Sequence, residues 1–585
     1  MLRKLYSALP ETHKQNKENL DLSRKTKGMT EKCTLCKSRP VIADYKEEPG
    51  DHAESIRAKL KEFWSNTDLD PAGEGKERLC PVCATKRFLV KNIINSSDEE
   101  LKHLWLPDTE EKPVLFPSTV AIATQDYVVE FIKKYSSIGG IKEKITEILK
   151  ILSRIKDIKP TYDVYLLPKV RSELDRVSDG FVRELLAYDL EITLFPDTLE
   201  GFLQSKKKRH KIDETEANGL LEAVKKLRRE ADKAIGFSPA TQIAIIYMDG
   251  DKMGELLLGQ PERIKARWED VLHPDVVKKM LETDSLKGTG WHELIKLERM
   301  AGPALQAFTS RAVGEFSHRI IPWVVEQVFS GRVIYTGGDD LLAIAPAKEA
   351  LKIAQRLSEF FKANWVIDEE PDIQPWEWLS KDNGYWRGKE EASKRFEIVN
   401  ESDKELETST AYLFPMFGKS GSISAGMAFG HFKSRMGDLL EEARELLEDL
   451  AKDKAERDAV AVGHFSRSGS KTRFASKWQL KEHLTIEKVI EAVSQGFEKE
   501  IIPRSMPYKL KEYSKKLYKL ELFKADIRHI LQGLVSKCID RNTVLGEIDL
   551  KEAVYLLWEK GLTLRLREPL DGIFFSKYLA SRVAI

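Results

Sequence analysis

The sequence predicts an α+β protein built on a ferredoxin-like palm, with a four-cysteine zinc region and helical domains beside it. An isoleucine-rich run at residues 243–248 and an apolar hairpin at 332–346 have the character of buried strands. Helical periodicity separates these strands and dominates both flanks of the chain. The resulting order β-α-α-β-β-α-β-α-β is that of a ferredoxin-like arrangement with insertions.

Size and composition limit the possible functions. The chain has 585 residues, more than one hydrophobic core organises, so we expect three or more domains. Lys and Arg number 95 and Asp and Glu 94, and the net charge of +1 excludes a uniformly basic surface for nucleic acid. The chain shows no apolar run of about 18 residues and no signal-peptide pattern. We therefore expect a cytoplasmic protein without membrane contact.

Changes of pattern along the chain predict five segments. We expect a polar lead-in at 1–32, a zinc-binding region at 33–100, a helical domain at 101–236, the palm at 237–469 and a C-terminal helical domain at 470–585. A basic run, QSKKKRHK, occupies residues 204–211 within the first helical segment. Such a run is typical of a solvated loop, and contact with RNA or phosphate is the alternative.

Four cysteines form two C-x2-C pairs, Cys33 with Cys36 and Cys80 with Cys83. Two such pairs can present four thiolates tetrahedrally to zinc, and the lack of a secretory signal favours zinc over disulfides. The segment between the pairs is longer than in a compact zinc ribbon, so we expect it to loop out. Because protein would fill all four positions, the zinc would be structural. Unligated thiols or a redox pair are the alternatives.

Two acidic motifs follow predicted strands. Asp249 and Asp251 lie in DGD at the end of the first strand, and Asp339 and Asp340 lie in GGDD at the tip of the hairpin. These strands are neighbours in a palm, so the two pairs would converge. Converging carboxylates repel one another unless a cation neutralises them, and Mg²⁺ or Mn²⁺ suits oxygen ligands best. The alternative is a pair of exposed turn carboxylates, which leaves the neighbouring acidic pair unexplained.

Glycines accompany both motifs. Gly337 and Gly338 would permit a positive φ in a tight turn and let a nucleotide approach the backbone closely. Gly250 and Gly254 lie in DGDKMG, which leads into a helix whose backbone N–H groups would cradle phosphates. The two motifs together predict a metal-dependent nucleotide site.

This combination of motifs resembles a known family. GGDD in a palm is similar to nucleotide cyclases and GGDEF diguanylate cyclases. The fuller set is closer to the large, polymerase-like subunit of type III CRISPR effector complexes in the Cmr (III-B) form. The motifs that carry the resemblance, in order between about residues 33 and 475, are CTLC, ERLCPVCATKR, FPSTVAIA, YMDGDKMGELL, GRVIYTGGDDLLAIAP, SISAGMAFGHFK and AVAVGHFSRSG.

The resemblance implies a function within a ribonucleoprotein. Such a complex binds target RNA through its CRISPR RNA guide, and the palm then joins ATP into cyclic oligoadenylate, an antiviral second messenger. It implies that Asp249, Asp339 and Asp340 hold Mg²⁺ or Mn²⁺ with Asp251 nearby, and that the four cysteines hold zinc. Lys452 matches a lysine that approaches the triphosphate in related cyclases, and a solvated helix lysine is the alternative.

The sequence departs from the family pattern in two ways. Full-length members often begin with an HD nuclease domain, and we find no His-Asp pair near the N-terminus, so we do not expect DNA cleavage. The family usually has another palm ahead of the zinc region, with two ATP molecules between the palms, and residues 1–32 leave no room for it. We therefore expect either that another polypeptide supplies this palm or that the chain is a truncated or split version.

Three functions are compatible with these observations. The leading hypothesis is a nucleotidyltransferase subunit of a CRISPR ribonucleoprotein. The second is a scaffold subunit that binds protein and RNA but has lost synthesis. The third is a stand-alone cyclase that makes cyclic di-GMP or cyclic AMP, against which the cysteine pairs and large helical regions argue. The near-neutral charge fits an assembly subunit whose partners bind most of the RNA.

Overall fold

The computed structural model describes residues 116–582 with gaps, together with a few positions between 33 and 84. The gaps of three or more residues are 208–212, 258–266, 298–301, 369–378, 381–385, 388–411, 418–420, 466–470, 520–523 and 540–543. The chain forms two compact units, Met1–Phe116 and Pro117–Ile585, and each is described by itself.

A helical region forms the first part of the larger unit. Its helices are α1 (Thr119–Ala123), α2 (Gln125–Lys134), α3 (Ile141–Leu152), α4 (Pro168–Arg176), α5 (Gly180–Leu186), α6 (Leu190–Leu194), α7 (Pro196–Lys207) and α8 (Glu214–Ile235). Asp213 caps the N-terminus of the longest helix, α8, because its side chain accepts a hydrogen bond from the backbone N–H of Thr215. It ends at Gly236, whose φ of 92° is the left-handed conformation that glycine adopts at low cost.

A six-stranded sheet lies at the centre of the larger unit. Its strands are β1 (Gln242–Gly250), β2 (Arg332–Gly337), β3 (Asp340–Pro346), β8 (Ile423–His431), β9 (Ala459–Phe465) and β10 (Lys471–Lys477). Their order is β10-β9-β8-β1-β3-β2, and all neighbours are antiparallel except the parallel pair β8 and β9. The predicted α+β architecture with a palm sheet is confirmed, and β1 lies between the hairpin and β8. The sixth strand, β10, lies within the segment 470–585 for which we predicted helices.

Helices and small sheets connect and flank these strands. Between β1 and β2 lie α9 (Met253–Leu257), α10 (Trp268–Val271), α11 (Pro274–Glu282), α12 (Trp291–Leu294) and α13 (Pro303–Glu315), which continues as π-helical turns at Phe316–Ile320 and Trp323–Val328. Between β3 and β8 lie α14 (Ala347–Lys362) and the strands β4 (Trp365–Asp368), β5 (Leu379–Ser380), β6 (Trp386–Arg387) and β7 (Tyr412–Pro415). Between β8 and β9 lies α15 (Met436–Glu445), with a π-helical extension at Leu446–Lys454.

The C-terminal region packs on the same core as the sheet. It contains β11 (Gln479–Lys481), β12 (Leu484–Thr485), α16 (Ile486–Glu498), α17 (Met506–Lys519), α18 (Lys524–Cys538), β13 (Val544–Leu545), β14 (Ile548–Asp549), α19 (Leu550–Thr563) and α20 (Asp571–Arg582). No described helix combines the length and the apolar character needed to cross a lipid bilayer.

The sheet separates two hydrophobic cores. Alternate residues of β1 point to opposite faces, so Ala244, Ile246 and Met248 join one core while Ile243 and Ile245 join the other. The first core contains α14 and the C-terminal helices, and the second contains the N-terminal helices. Burial on both faces explains why β1 is an unbroken apolar run rather than an alternating one.

Helix α15 and its extension approach the sheet closely because three glycines lie beneath them. A Cβ at Gly426 of β8 would collide with the carbonyl oxygen of Ala443 and the backbone nitrogen of Leu447. At Gly430 a Cβ would lie 2.8 Å from a Leu439 methyl group, and at Gly463 of β9 it would lie 2.7 Å from a Leu446 methyl group. The missing side chains therefore set the distance between this helix and the sheet.

We expect Gly426→Ala to lower the free energy of unfolding by roughly 1–3 kcal/mol, because the new methyl group meets helix backbone that has no free space. Chemical or thermal denaturation measures the change. The control is Gly437→Ala, in the first turn of α15, where a Cβ has open space and stability should stay level or rise slightly. Equal stabilities of the two variants would contradict close packing at Gly426.

Candidate functional site

Two acidic residues meet at the ends of β1 and β3. The last paired residues of these strands are Met248 and Leu341, so the next step of the antiparallel register places Asp249 opposite Asp340. The charge of Asp249 acts on the Asp340 carboxyl, so the two side chains lie close together. Asp249 is also paired with Ser424 of β8, and it therefore has a strand on each side. The predicted convergence of the two acidic motifs is thus present in the structure.

Asp339 completes the cluster through its contact with Gly250. A Cβ on Gly250 would lie 2.7 Å from the Asp339 Oδ2 and 2.9 Å from the Asp339 Cβ, too close for either atom to stay in place. Glycine at this position is therefore what lets Asp339 lie against the end of β1. The steric requirement explains Gly250 without any bound nucleotide.

The two glycines of the hairpin have different roles. Gly338 has a φ of 72°, as expected for the tight turn. The prediction of a positive φ at Gly337 is wrong, because Gly337 is the last residue of β2 and has extended backbone. A side chain there would instead collide with the Tyr335 hydroxyl and lie 2.6 Å from its Cζ atom. The Tyr335 ring thus occupies the space that glycine leaves open.

Burial and mutual repulsion raise the pKa values of the hairpin carboxyls. Burial is the main cause of the rise in the pKa of Asp340 to about 7, followed by the hydrogen bond and charge of Asp249 and the charge of Asp339. Burial also raises the pKa of Asp339 above its usual value. Such a cluster retains a proton near neutral pH unless a cation neutralises it.

Lys452 supplies a positive charge to the cluster. It lies on the π-helical extension of α15, and its ammonium forms ion pairs with Asp249 and, at 2.9 Å, with the Glu448 Oε1. Burial lowers the pKa of Lys452, but the hydrogen bonds and charges of the two carboxylates outweigh burial, and the net shift is upward. Lys452 therefore stays charged at neutral pH and opposes the repulsion among the carboxylates. The close packing of α15 on the sheet positions it.

The hydrogen-bond partners of Asp251 are not the clustered carboxylates. Its side chain is buried and accepts hydrogen bonds from the Ser424 Oγ at 2.7 Å and from the Asp458 backbone N–H at 2.9 Å. Asp458 ends a turn, residues 456–458, in which three successive side-chain-bearing residues have positive φ values of 57°, 61° and 46°. Asp251 thus ties the end of β1 to the strained turn that follows the helix of Lys452.

The segment after β1 is short and exposed. Lys252 has a φ of 55°, and α9 then covers only five residues. Gly254 is exposed, with open space around the position of a Cβ. The basic run at 204–211 is only partly described. Its first four residues form the end of α7, and residues 208–211 lie outside the described part of the chain.

Three cysteines of the smaller unit form a cluster. The sulfur atoms of Cys33, Cys80 and Cys83 lie within 4.8 Å of one another, and all three residues are buried. The Cys83 backbone N–H donates to the Cys80 sulfur at 3.4 Å. Cys36, the predicted fourth ligand, lies outside the described residues. Three sulfur atoms this close together could share one metal ion.

The sequence analysis did not predict several contacts at this site. The spacing of Glu448 and Lys452 by four residues on a helix is a sequence signal for their ion pair. The role of Ser424 depends on a contact with the distant Asp251 and leaves no local signal. Tyr335 lies only two residues from Gly337, and the sequence analysis did not consider that contact.

The comparisons with known proteins agree with the palm. Residues 242–374 match the family model for Cas10/Cmr2, second palm domain. A curated relative, "CRISPR system Cmr subunit Cmr2" of Pyrococcus furiosus, is 25% identical over 402 residues, which are 68% of this chain and 37% of the relative. The chain thus spans well under half of that relative's length.

Two solved structures share the fold. They are described as cryo-EM structures of the type III-B Cmr-beta, one bound to cognate target RNA and one in the apo state. Each match has a TM-score of 0.50 and covers 94% of this chain. The RNA-bound structure is 16% identical and is covered to 57% of its chain, and the apo structure is 15% identical and is covered to 56%. The predicted resemblance to the large Cmr subunit is confirmed.

We expect Asp340→Asn to raise the Tm of the metal-free chain at pH 8 by about 1–3 °C. Folding raises the pKa of Asp340 to about 7, so its ionised form opposes folding above that pH, and the gain from Asn should fade as the pH falls below 7. Thermal unfolding in EDTA tests this expectation. Exposed Asp438→Asn is the control and should bring no gain. A lower Tm for Asp340→Asn at pH 8 would show that repulsion does not dominate the cluster.

Proposed function

We propose that this chain, whose residues 242–374 match the second palm domain of Cas10/Cmr2, is the large subunit of a type III-B CRISPR effector complex. In this proposal its partners are the other subunits, and it meets CRISPR RNA and target RNA through the complex. The match to the Pyrococcus furiosus Cmr subunit and the shared fold with Cmr-beta structures support the assignment.

We further propose that the palm binds ATP with Mg²⁺ or Mn²⁺ and synthesises cyclic oligoadenylate. The observation that carries this proposal is the meeting of Asp249 and Asp340 across neighbouring strands, with Asp339 held beside Gly250. Three carboxyl groups at one edge of a sheet are a ligand set for hard divalent cations. When bound, such a cation would supply charge neutralisation at the phosphates and at the attacking oxygen.

The reaction in this proposal is a nucleotidyl transfer. A ribose 3′-hydroxyl attacks the α-phosphate of a neighbouring ATP, a new phosphodiester bond forms, and the bond to pyrophosphate breaks. The hydroxyl proton leaves to solvent or to a carboxylate of the cluster. In this proposal Lys452 approaches the phosphates from the side of α15, and its ion pair with Asp249 supports this role. In this proposal Asp251 positions the site and does not touch the nucleotide, because its carboxylate already accepts two hydrogen bonds.

The three clustered cysteines support a structural zinc site in the smaller unit. We propose that Cys33, Cys80 and Cys83 bind zinc together with Cys36, each as a thiolate. Zinc would then join two segments that are distant in sequence, and it would take no part in the chemistry of the palm.

We expect ATP to bind the wild-type chain only when Mn²⁺ or Mg²⁺ is present, and we expect Asp339→Ala/Asp340→Ala to abolish that binding. Two of the three carboxyl ligands are lost in this variant. Calorimetric titration with and without EDTA measures the affinity, and Asp438→Ala is the control with an exposed carboxyl removed. Product analysis after reconstitution with partner subunits then tests for cyclic oligoadenylate. Absence of metal-dependent ATP binding by the wild type would favour a scaffold role.

We expect the purified chain to contain one zinc ion, and substitution of Cys80 or Cys36 by Ser to lose it. Metal analysis by mass spectrometry gives the stoichiometry. The matched control is Cys538→Ser, because Cys538 lies at the end of α18 in the other unit. Full zinc content in Cys36→Ser would show that the fourth ligand is another residue or water.

A further inference from the structure

An exposed aromatic side chain lies on the edge strand beside the carboxylate cluster. Tyr335 belongs to β2, which is the last strand of the palm sheet within the described residues and pairs there with β3. The residue is 54% exposed, although four of the six residues of β2 are half-buried. Single exposed apolar side chains are common on protein surfaces, so a role for this ring has to follow from its position.

The strand register places the Tyr335 ring on the face of the sheet that carries the acidic residues. Residues directly opposite each other in an antiparallel pair project to the same face, with their Cβ atoms about 5 Å apart. Gly337 is opposite Asp340, and a Cβ at Gly337 would collide with the Tyr335 hydroxyl. The hydroxyl therefore occupies the position that a side chain beside Asp340 would take, and the ring lies next to the cluster.

The positive charge and the aromatic ring lie on opposite sides of the cluster. The strand order β8-β1-β3-β2 places Asp249 on β1, then Asp340 on β3, then Tyr335 on β2. Lys452 belongs to the helix that packs over β8 and β9, and it forms its ion pair with Asp249. A triphosphate held by the metal ligands and Lys452 would occupy the β1 side of this face. The β2 side, where the ring is exposed, is then left for the nucleoside.

We propose that the Tyr335 ring stacks on the base of the nucleotide bound at the carboxylate cluster, an inference that rests on the proposed function. Every base has a π-face on which an aromatic side chain stacks. The ring would hold the nucleoside while the metal ligands and Lys452 hold the phosphates. Stacking does not read the hydrogen-bonding edge of a base, so Tyr335 would contribute equally to the binding of ATP and of GTP.

Calorimetric titration of the full chain in Mn²⁺ with ATP, GTP and inorganic tripolyphosphate tests the proposal, because tripolyphosphate has the phosphates without a nucleoside. We expect Tyr335→Ala to weaken the binding of ATP and GTP roughly tenfold, the effect of losing one stacked base, and to leave tripolyphosphate binding unchanged. Tyr335→Phe keeps the ring and should bind all three probes as the wild type does. The control is Ile334→Ala, which removes the adjacent exposed side chain at the register shift of β2 and should change no affinity.

The probes separate a failure of this inference from a failure of the proposed function. A wild-type chain that binds none of them in Mn²⁺ would contradict the proposed function, and this inference with it. Tripolyphosphate binding together with equal ATP affinities in the wild type and Tyr335→Ala would overturn the inference alone. Equal weakening of ATP and tripolyphosphate would also overturn it, because the ring would then only support the hairpin. Loss of ATP affinity in Tyr335→Phe would assign the effect to the hydroxyl and exclude stacking as its cause.

Discussion

The repulsion among three carboxyl groups at the end of β1 and the β2–β3 hairpin is the constraint around which the palm is organised. The register of β1 and β3 brings Asp249 opposite Asp340, and Gly250 leaves room for Asp339. Burial raises the cost of charge at each hairpin carboxyl. Oxygen ligands in this number suit a divalent cation, whose charge would offset the repulsion.

The counter-charge of Lys452 depends on packing far from the site. Its helix lies close to the sheet because Gly426 in β8 has no side chain. The end of that helix is then held by the strained turn at residues 456–458, whose last backbone N–H donates to the buried Asp251. The position of this helix, the strained turn and the ion pair of Lys452 therefore depend on one another.

Much of this arrangement could be predicted from the sequence. The unbroken apolar run of β1 predicts a strand buried on both faces, and the two acidic motifs predict a convergence that the structure contains. Two details could not be predicted. Gly337 was expected to have a positive φ, but it ends β2 with extended backbone, and the Tyr335 ring lies where its side chain would be. Asp251 was expected near the metal ligands, and the sequence did not indicate that its carboxylate accepts hydrogen bonds from Ser424 and Asp458.

The sequence by itself determined the composition of the sites: which carboxyls, cysteines and glycines were candidates, and which strands would carry the acidic pairs. Local patterns suffice for this because strand burial and turn chemistry depend on neighbours along the chain. Only the tertiary structure decided the pairing of Asp249 with Asp340 and the contact of Lys452 with Asp249. These features depend on strand register and on helix-to-sheet distance. Both are set by contacts between residues far apart in sequence, and no local pattern records them.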